Sequence, residues 1–250
     1  MKTARRLAAI VLALCAGAVG AADGPVYVPI AGGVFRTALP NGADTVTVDA
    51  YQLRRLPVTR AEFAAFLAQH PEWRRENVAR VFAAKGYLAD FESRETPAAA
   101  PVTGVSWYGA RAYCESEGAR LPSWYEWEFA AAADARRRDA RDDPAWREQI
   151  LAWYATPTHG GPGAVGAHEA NAWGVQDMHG LIWEWVDDFN GLFVTVDSRS
   201  QGEEKTLETC GAAALSLGDR ENYAVLMRIA LLASLDARDT VGSMGFRCAK

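Results

Sequence analysis

Beyond residue 25 the chain alternates between short apolar runs and turn-forming residues. "VYVPIAGGVF" (26–35) places apolar positions around Pro29 and a Gly32-Gly33 turn, which predicts two short extended pieces. "TVTVDAY" (45–51) has the period-two alternation of a half-buried strand. The period then changes in "PVTRAEFAAFLAQHPEW" (57–73), where Phe63, Phe66 and Leu67 share one helical face. Thr59, followed three residues later by Glu62, supplies a capping box at its start.

The stretch "ESRETPAAAP" (92–101) reads as a linker. In "VSWYGARAYCESEGARLPSWYEWEFAAAA" (105–133), Ser106 is the N-cap of a second helix with Ala110, Tyr113 and Cys114 inward, and Gly118 terminates it. Pro122 separates it from a third helix carrying Trp124, Trp127, Glu128 and Ala131 at helical spacing. Residues 134–170 turn polar and then rich in Gly and Pro, so they are expected to be an excursion rather than core. A last helix is expected over 223–235, and "GFRCAK" (245–250) ends the chain as a short strand. The pattern is α+β, with short scattered strands, a few amphipathic helices and much irregular chain. No Gly-rich turn joins a strand to a helix, which leaves a Rossmann or P-loop reading without support.

The first residues stand apart. Lys2, Arg5 and Arg6 precede an apolar run from Leu7 to Ala16, and small residues follow at Val19-Gly20-Ala21. This is the organisation of a secretory signal peptide cleaved near Ala21. A lipoprotein signal at Cys15 is disfavoured by the bulky Leu14. Residues 1–21 are therefore read as a signal peptide and 22–250 as one domain, periplasmic or secreted, with no membrane span after cleavage. Losing three cations takes the formal charge from −5 to −8. Nucleic-acid binding rests on basic surfaces, so an acidic exported chain argues against it. The cluster Arg136-Arg137-Arg138 is interleaved with Asp134, Asp139, Asp142 and Asp143 and reads as a solvated face.

The densest chemistry lies in "NAWGVQDMHGLIWEWVDDF" (171–189), which holds three tryptophans, four carboxylates and a histidine. Packing, a metal site and the floor of an active site all remain open for it. Three cysteines follow the leader, Cys114, Cys210 and Cys248, so one disulfide and one free thiol are expected. Spacing alone does not select the pair. The four histidines, His70, His159, His168 and His179, show no paired helical spacing. His159 and His168 sit in the excursion, and His179 helps present the turn of the dense motif.

Taken in order, "IAGGVF", "PVTRAEFAAFL", "PVTGVSWYGARAYCESEGARLPSWYEWEFAAA", "NAWGVQDMHGLIWEW" and "GFRCA" resemble the formylglycine-generating enzyme, or sulfatase-modifying factor, family. The resemblance implies a variant of the C-type lectin fold with an aromatic core, which suits a chain with nine tryptophans. It implies a disulfide between Cys114 and Cys248. It also implies a structural calcium held by the side chains of Asp177 and Glu184 and the carbonyls of Gly180 and Ile182, an oxygen-rich set of the kind calcium prefers. The alternative for these carboxylates is that Asp177 caps a turn and Glu184 pairs with an arginine. A second calcium site of the family finds no match in 134–170.

The family's oxidases hold copper with two cysteines five residues apart, and counting back from Cys248 places them at Asp219 and Ala224. Neither is cysteine, and no pair of that spacing occurs in the chain. Copper(I) favours two thiolates, so copper is not expected to bind. The resulting expectation is an exported binding or accessory factor, for example an immunity or maturation protein, with an exported protein partner or client. The alternative is a divergent oxidase using Cys210 and an unidentified second ligand.

Overall fold

The structure, a computed structural model, describes residues 24–39, 44–93, 96–155, 161–190 and 223–250. Residues 1–21, read above as a signal peptide, and His159, Cys210 and Asp219 lie outside the described residues.

Three two-stranded sheets carry the strands among the described residues. Antiparallel pairs join β1 (Tyr27–Ile30) to β4 (Tyr51–Arg54) and β2 (Gly33–Arg36) to β3 (Thr45–Val48). The expected single strand over 45–51 is therefore split, because the chain leaves one sheet at Val48 and enters the other at Tyr51. A parallel pair joins β5 (Trp183–Glu184) to β6 (Met244–Gly245). Beyond β6 the final residues run between two neighbours. Lys250 and Gln52 exchange backbone hydrogen bonds of 2.8 Å in both directions, and Ala249 and Arg120 do the same at 2.7 and 2.9 Å.

Helix α1 (Arg60–Gln69) begins at Thr59, whose hydroxyl accepts from Glu62 N while the Glu62 carboxylate accepts from Thr59 N, the capping box read from the sequence. Helix α2 (Trp107–Ser116) is capped by Ser106. It stops because Gly118 takes φ +64°. That conformation lets Ala119 N donate to Cys114 O and Gly118 N to Glu115 O, a Schellman ending. Helix α3 (Trp124–Ala131) has its own capping box, Ser123 with Glu126. Helix α5 (Tyr223–Ala233) ends two residues before the expected limit.

Residues 134–170 depart from the expectation of a non-core excursion. They contain α4 (Pro144–Ala155), which buries Ile150 and packs against α5. Pro144 opens it at the position where a missing N–H costs nothing.

One buried cluster draws on nearly every element, from Ile30 to Ala249. Trp124, Trp127 and Trp185 are almost fully buried within it. Beside them Phe63, Phe66, Tyr113 and Phe246 form a set of edge and stacked ring contacts between 5.3 and 6.1 Å. The Cys114–Cys248 disulfide fastens α2 to the terminal segment in this region, across a sequence separation of 134. Closing a loop of that length is worth about 5 kcal/mol in a chain-entropy model. Among the described residues no helix is long and apolar enough to cross a membrane.

Candidate functional site

The dense motif begins with a turn tied by its own asparagine. Asn171 Oδ1 accepts from Trp173 N and Val175 N at 3.0 and 3.1 Å, and its Nδ2 donates to Ala130 O at the end of α3. Asp177 then adopts φ +57°, a left-handed conformation that costs a non-glycine residue backbone strain. Gly180 follows at φ +84°, and an added Cβ there would fall 3.0 Å from the Trp153 ring. The chain consequently passes directly beneath that indole and enters β5. Trp185 donates through its indole N–H to Val105 O at 2.9 Å, anchoring the strand in the core.

Glu184 lies at the centre of this floor, fully buried. Its Oε1 accepts from Arg247 Nε and Nη2 at 3.0 and 2.8 Å. Its Oε2 accepts from Arg247 Nε at 2.9 Å and from Trp127 Nε1 at 2.7 Å. Arg247 extends the network to the carbonyls of Arg54, Arg55, Gln176 and Asp177. One guanidinium from the last segment of the chain thus ties β4, the motif turn and β5 together. A second buried cation, Arg228 of α5, donates to Glu184 O and lies with its Cζ 3.6 Å from the Trp127 ring centroid. Burial lowers its pKa to about 10, with Glu184 opposing the shift.

On the solvent side of the motif, the buried Asp177 carboxylate accepts from the backbone N–H of Gly166 and from His168 Nδ1, the latter at 2.7 Å. Deeper in, His179 is enclosed by the rings of Trp127, Trp146, Trp153 and Tyr154. Its Nε2 lies 2.8 Å from Ala131 O. A carbonyl only accepts, so Nε2 carries the proton and Nδ1 faces the Tyr154 hydroxyl at 3.4 Å. Burial pushes the His179 pKa down to about 4. The imidazole is therefore neutral at physiological pH. Between this floor and α4 opens a cavity of about 770 Å³, lined on the α4 side by Trp146, Gln149 and Trp153 and on the loop side by His168.

The four positions implied as calcium ligands occupy one turn and strand, but they do not share one environment. A carboxylate offers about four lone-pair directions. Those of Glu184 are taken by Arg247 and Trp127, with a full positive charge in contact. Glu184 as placed does not fit a calcium ligand. Its partner is the arginine of the alternative sequence reading. Asp177 holds a turn and a histidine. Among the described residues no group of three or more His, Cys, Asp or Glu side chains is placed to hold a metal. Of the three cysteines beyond residue 21, Cys114 and Cys248 are bonded to each other and Cys210 lies outside the described residues.

Sequence reasoning left out Arg228, Arg247, Trp146 and Trp153. The arginine in "GFRC" beside the glutamate in "WEW" is a signal for the buried pair only once the two segments are known to be adjacent strands. The indoles had a local signal, the spacing of Trp146, Gln149 and Trp153 behind Pro144, obscured by the polar composition around them.

Comparison with known proteins points in one direction. The family model described as sulfatase-modifying factor enzyme 1-like domain matches residues 16–250. The chain is 32% identical over 167 residues to hercynine oxygenase of Mycobacterium tuberculosis, covering 58% of this chain and 39% of that protein. It is 31% identical over 166 residues to the formylglycine-generating enzyme of Streptomyces coelicolor, covering 60% and 52%. The match thus spans only about two fifths to one half of these relatives. Among solved structures, PvdO from Pseudomonas aeruginosa superposes with a TM-score of 0.51 at 18% identity, covering 90% of this chain and 94% of that one. CarF superposes with a TM-score of 0.50 at 16% identity, covering 90% and 98%. At these identities the structural likeness establishes the fold.

Proposed function

The chain belongs to the sulfatase-modifying factor enzyme 1-like family, and from that premise we propose that it is an exported member that keeps the scaffold as a binding or accessory factor without copper-dependent cysteine oxidation. One observation carries this reading. Of the four cysteines, Cys114 and Cys248 are joined in a disulfide, and what remains is Cys15 in the leader and Cys210. Once the leader is removed a single thiol is left. Two soft thiolates cannot be assembled from one chain, so copper(I) loses the ligand set that suits it.

The rest of the motif serves architecture. Glu184, Arg247 and Trp127 satisfy one another in a buried network that Arg228 joins through the Glu184 carbonyl, and Asp177 fixes the loop above it. What the scaffold presents is a surface held rigid by a disulfide and a buried ion pair. The leader directs that surface to the periplasm or beyond, where it meets an exported partner or client.

The names of the relatives favour a second reading, because hercynine oxygenase and formylglycine-generating enzyme are both named for reactions. In that reading Cys210 and one further ligand support a divergent oxidation. Capture from the exported fraction, followed by reconstitution of a stoichiometric complex from purified components, supports the binding role. Copper- and Cys210-dependent oxygen uptake in the absence of any such complex overturns it.

A further inference from the structure

The cavity between α4 and the motif has a chemical character of its own. Trp146, Gln149 and Trp153 fall at i, i+3 and i+7 on α4, so they form one stripe, and all three line the cavity. Seven residues of helix separate the two indoles by about 10 Å along the axis. The cavity volume of about 770 Å³ falls within the range usual for small-molecule sites, roughly 300–1,000 Å³.

The polar groups of the wall are mostly spent on one another. Arg137 is paired with both Asp134 and Asp143. Asp177 is used by Gly166 N and His168 Nδ1. The last pairing also sets what His168 offers. A carboxylate accepts and does not donate, so Nδ1 carries a proton and Nε2 is the ring nitrogen left to meet a ligand. His168 is 43% exposed at its side chain and sits against Trp153, ring centroids 5.6 Å apart. The wall therefore combines two indole surfaces, one imidazole nitrogen and one amide, with Asp134, Arg137, Asp143 and Asp177 engaged on other protein groups and the opposite charges of Arg136 and Glu169 completing the lining.

We propose that this cavity binds an uncharged, hydroxylated ring compound, stacked on Trp146 and Trp153, with one hydroxyl donating to His168 Nε2 and Gln149 available to a second. Saccharides and phenols share this chemistry, and the spacing of the indoles favours a ligand of more than one ring. The residues that line it fall between 133 and 153 and between 168 and 179.

Titration calorimetry on the chain lacking residues 1–21 tests the proposal, with two arms: cellobiose, N,N′-diacetylchitobiose and maltotriose in one, p-cresol and resorcinol in the other. Saturable binding in either arm is expected, and the arm identifies the source. Trp146→Ala and His168→Phe should each weaken it tenfold or more. Should either variant fold poorly, Ala135→Trp provides the check. Ala135 is an exposed lining residue, so a bulky side chain there fills the space and should abolish binding with the melting curve preserved. No saturable binding in either arm at millimolar ligand overturns the proposal, as does binding that all three substitutions leave unchanged.

Discussion

Arg247 and Glu184 form an ion pair in which neither side chain has any exposure, with Nη2 and Oε1 2.8 Å apart. Burial of both charges is tolerated because each finds further partners, Trp127 on the acidic side and four backbone carbonyls on the basic side. Removing one member strands the other in a low-dielectric interior. Arg247→Met is therefore expected to destabilise by about 3–5 kcal/mol, read from urea unfolding. The double variant with Glu184→Leu should recover much of that loss, since neither charge is then left alone. A single variant within experimental error of the parent would mean the pair is hydrated.

The same pair bears on calcium. With Glu184 saturated by its arginine, exhaustive chelation is expected to leave the melting temperature unchanged. A fall of several degrees, reversed by added calcium, would place the cation on Asp177 and nearby carbonyls.

The disulfide makes a third prediction. Without reductant, the denatured chain lacking residues 1–21 should titrate one thiol, from Cys210. Reduction, or Cys114→Ser with Cys248→Ser, should lower stability by about 5 kcal/mol on the entropy model. Three titratable thiols in the oxidised protein would contradict the pairing.

Acid stability provides a fourth. The His179 pKa is lowered to about 4 by burial and by Arg228 and Arg247, against the pull of Ala131 O and Glu184, and is about 6.5 in an unfolded chain. Between those values the unfolded chain binds more protons than the folded one. Stability present above pH 6.5 is thus lost as the pH falls toward 4, by on the order of 3 kcal/mol. Comparing urea midpoints at pH 7 and pH 4.5 should show a steeper loss in the parent than in His179→Gln. Parallel losses would place the histidine in water.

Much of the scaffold was legible because its signals are local. The Thr59 and Ser106 caps, the Gly118 stop and the inward face of Phe63, Phe66 and Leu67 each depend on residues within one or two turns. The Ser123 and Glu126 box was equally local, though only Pro122 was read there. Helix α4 was hidden because its apolar stripe is narrow, with only Ile150 buried, and lies between charged and Gly-rich stretches. The partners of Glu184 were out of reach for a different reason. Arg247 is 63 residues away and Arg228 is 44, and nothing in either neighbourhood announces the other. The resemblance correctly joined Cys114 to Cys248, which spacing left open among three cysteines. The same resemblance assigned to calcium a carboxylate that the fold gives to an arginine.

Whether this scaffold lacks copper-dependent oxidation is decided by its behaviour toward copper. The chain lacking residues 1–21 should be titrated anaerobically with copper(I) against a competing chelator, then exposed to oxygen with a cysteine-containing peptide, with Cys210→Ser in parallel. No tight stoichiometric binding, no oxygen uptake and no difference between the two proteins are expected. One equivalent of tightly bound copper that disappears in Cys210→Ser, together with oxygen uptake by the parent alone, would contradict that expectation.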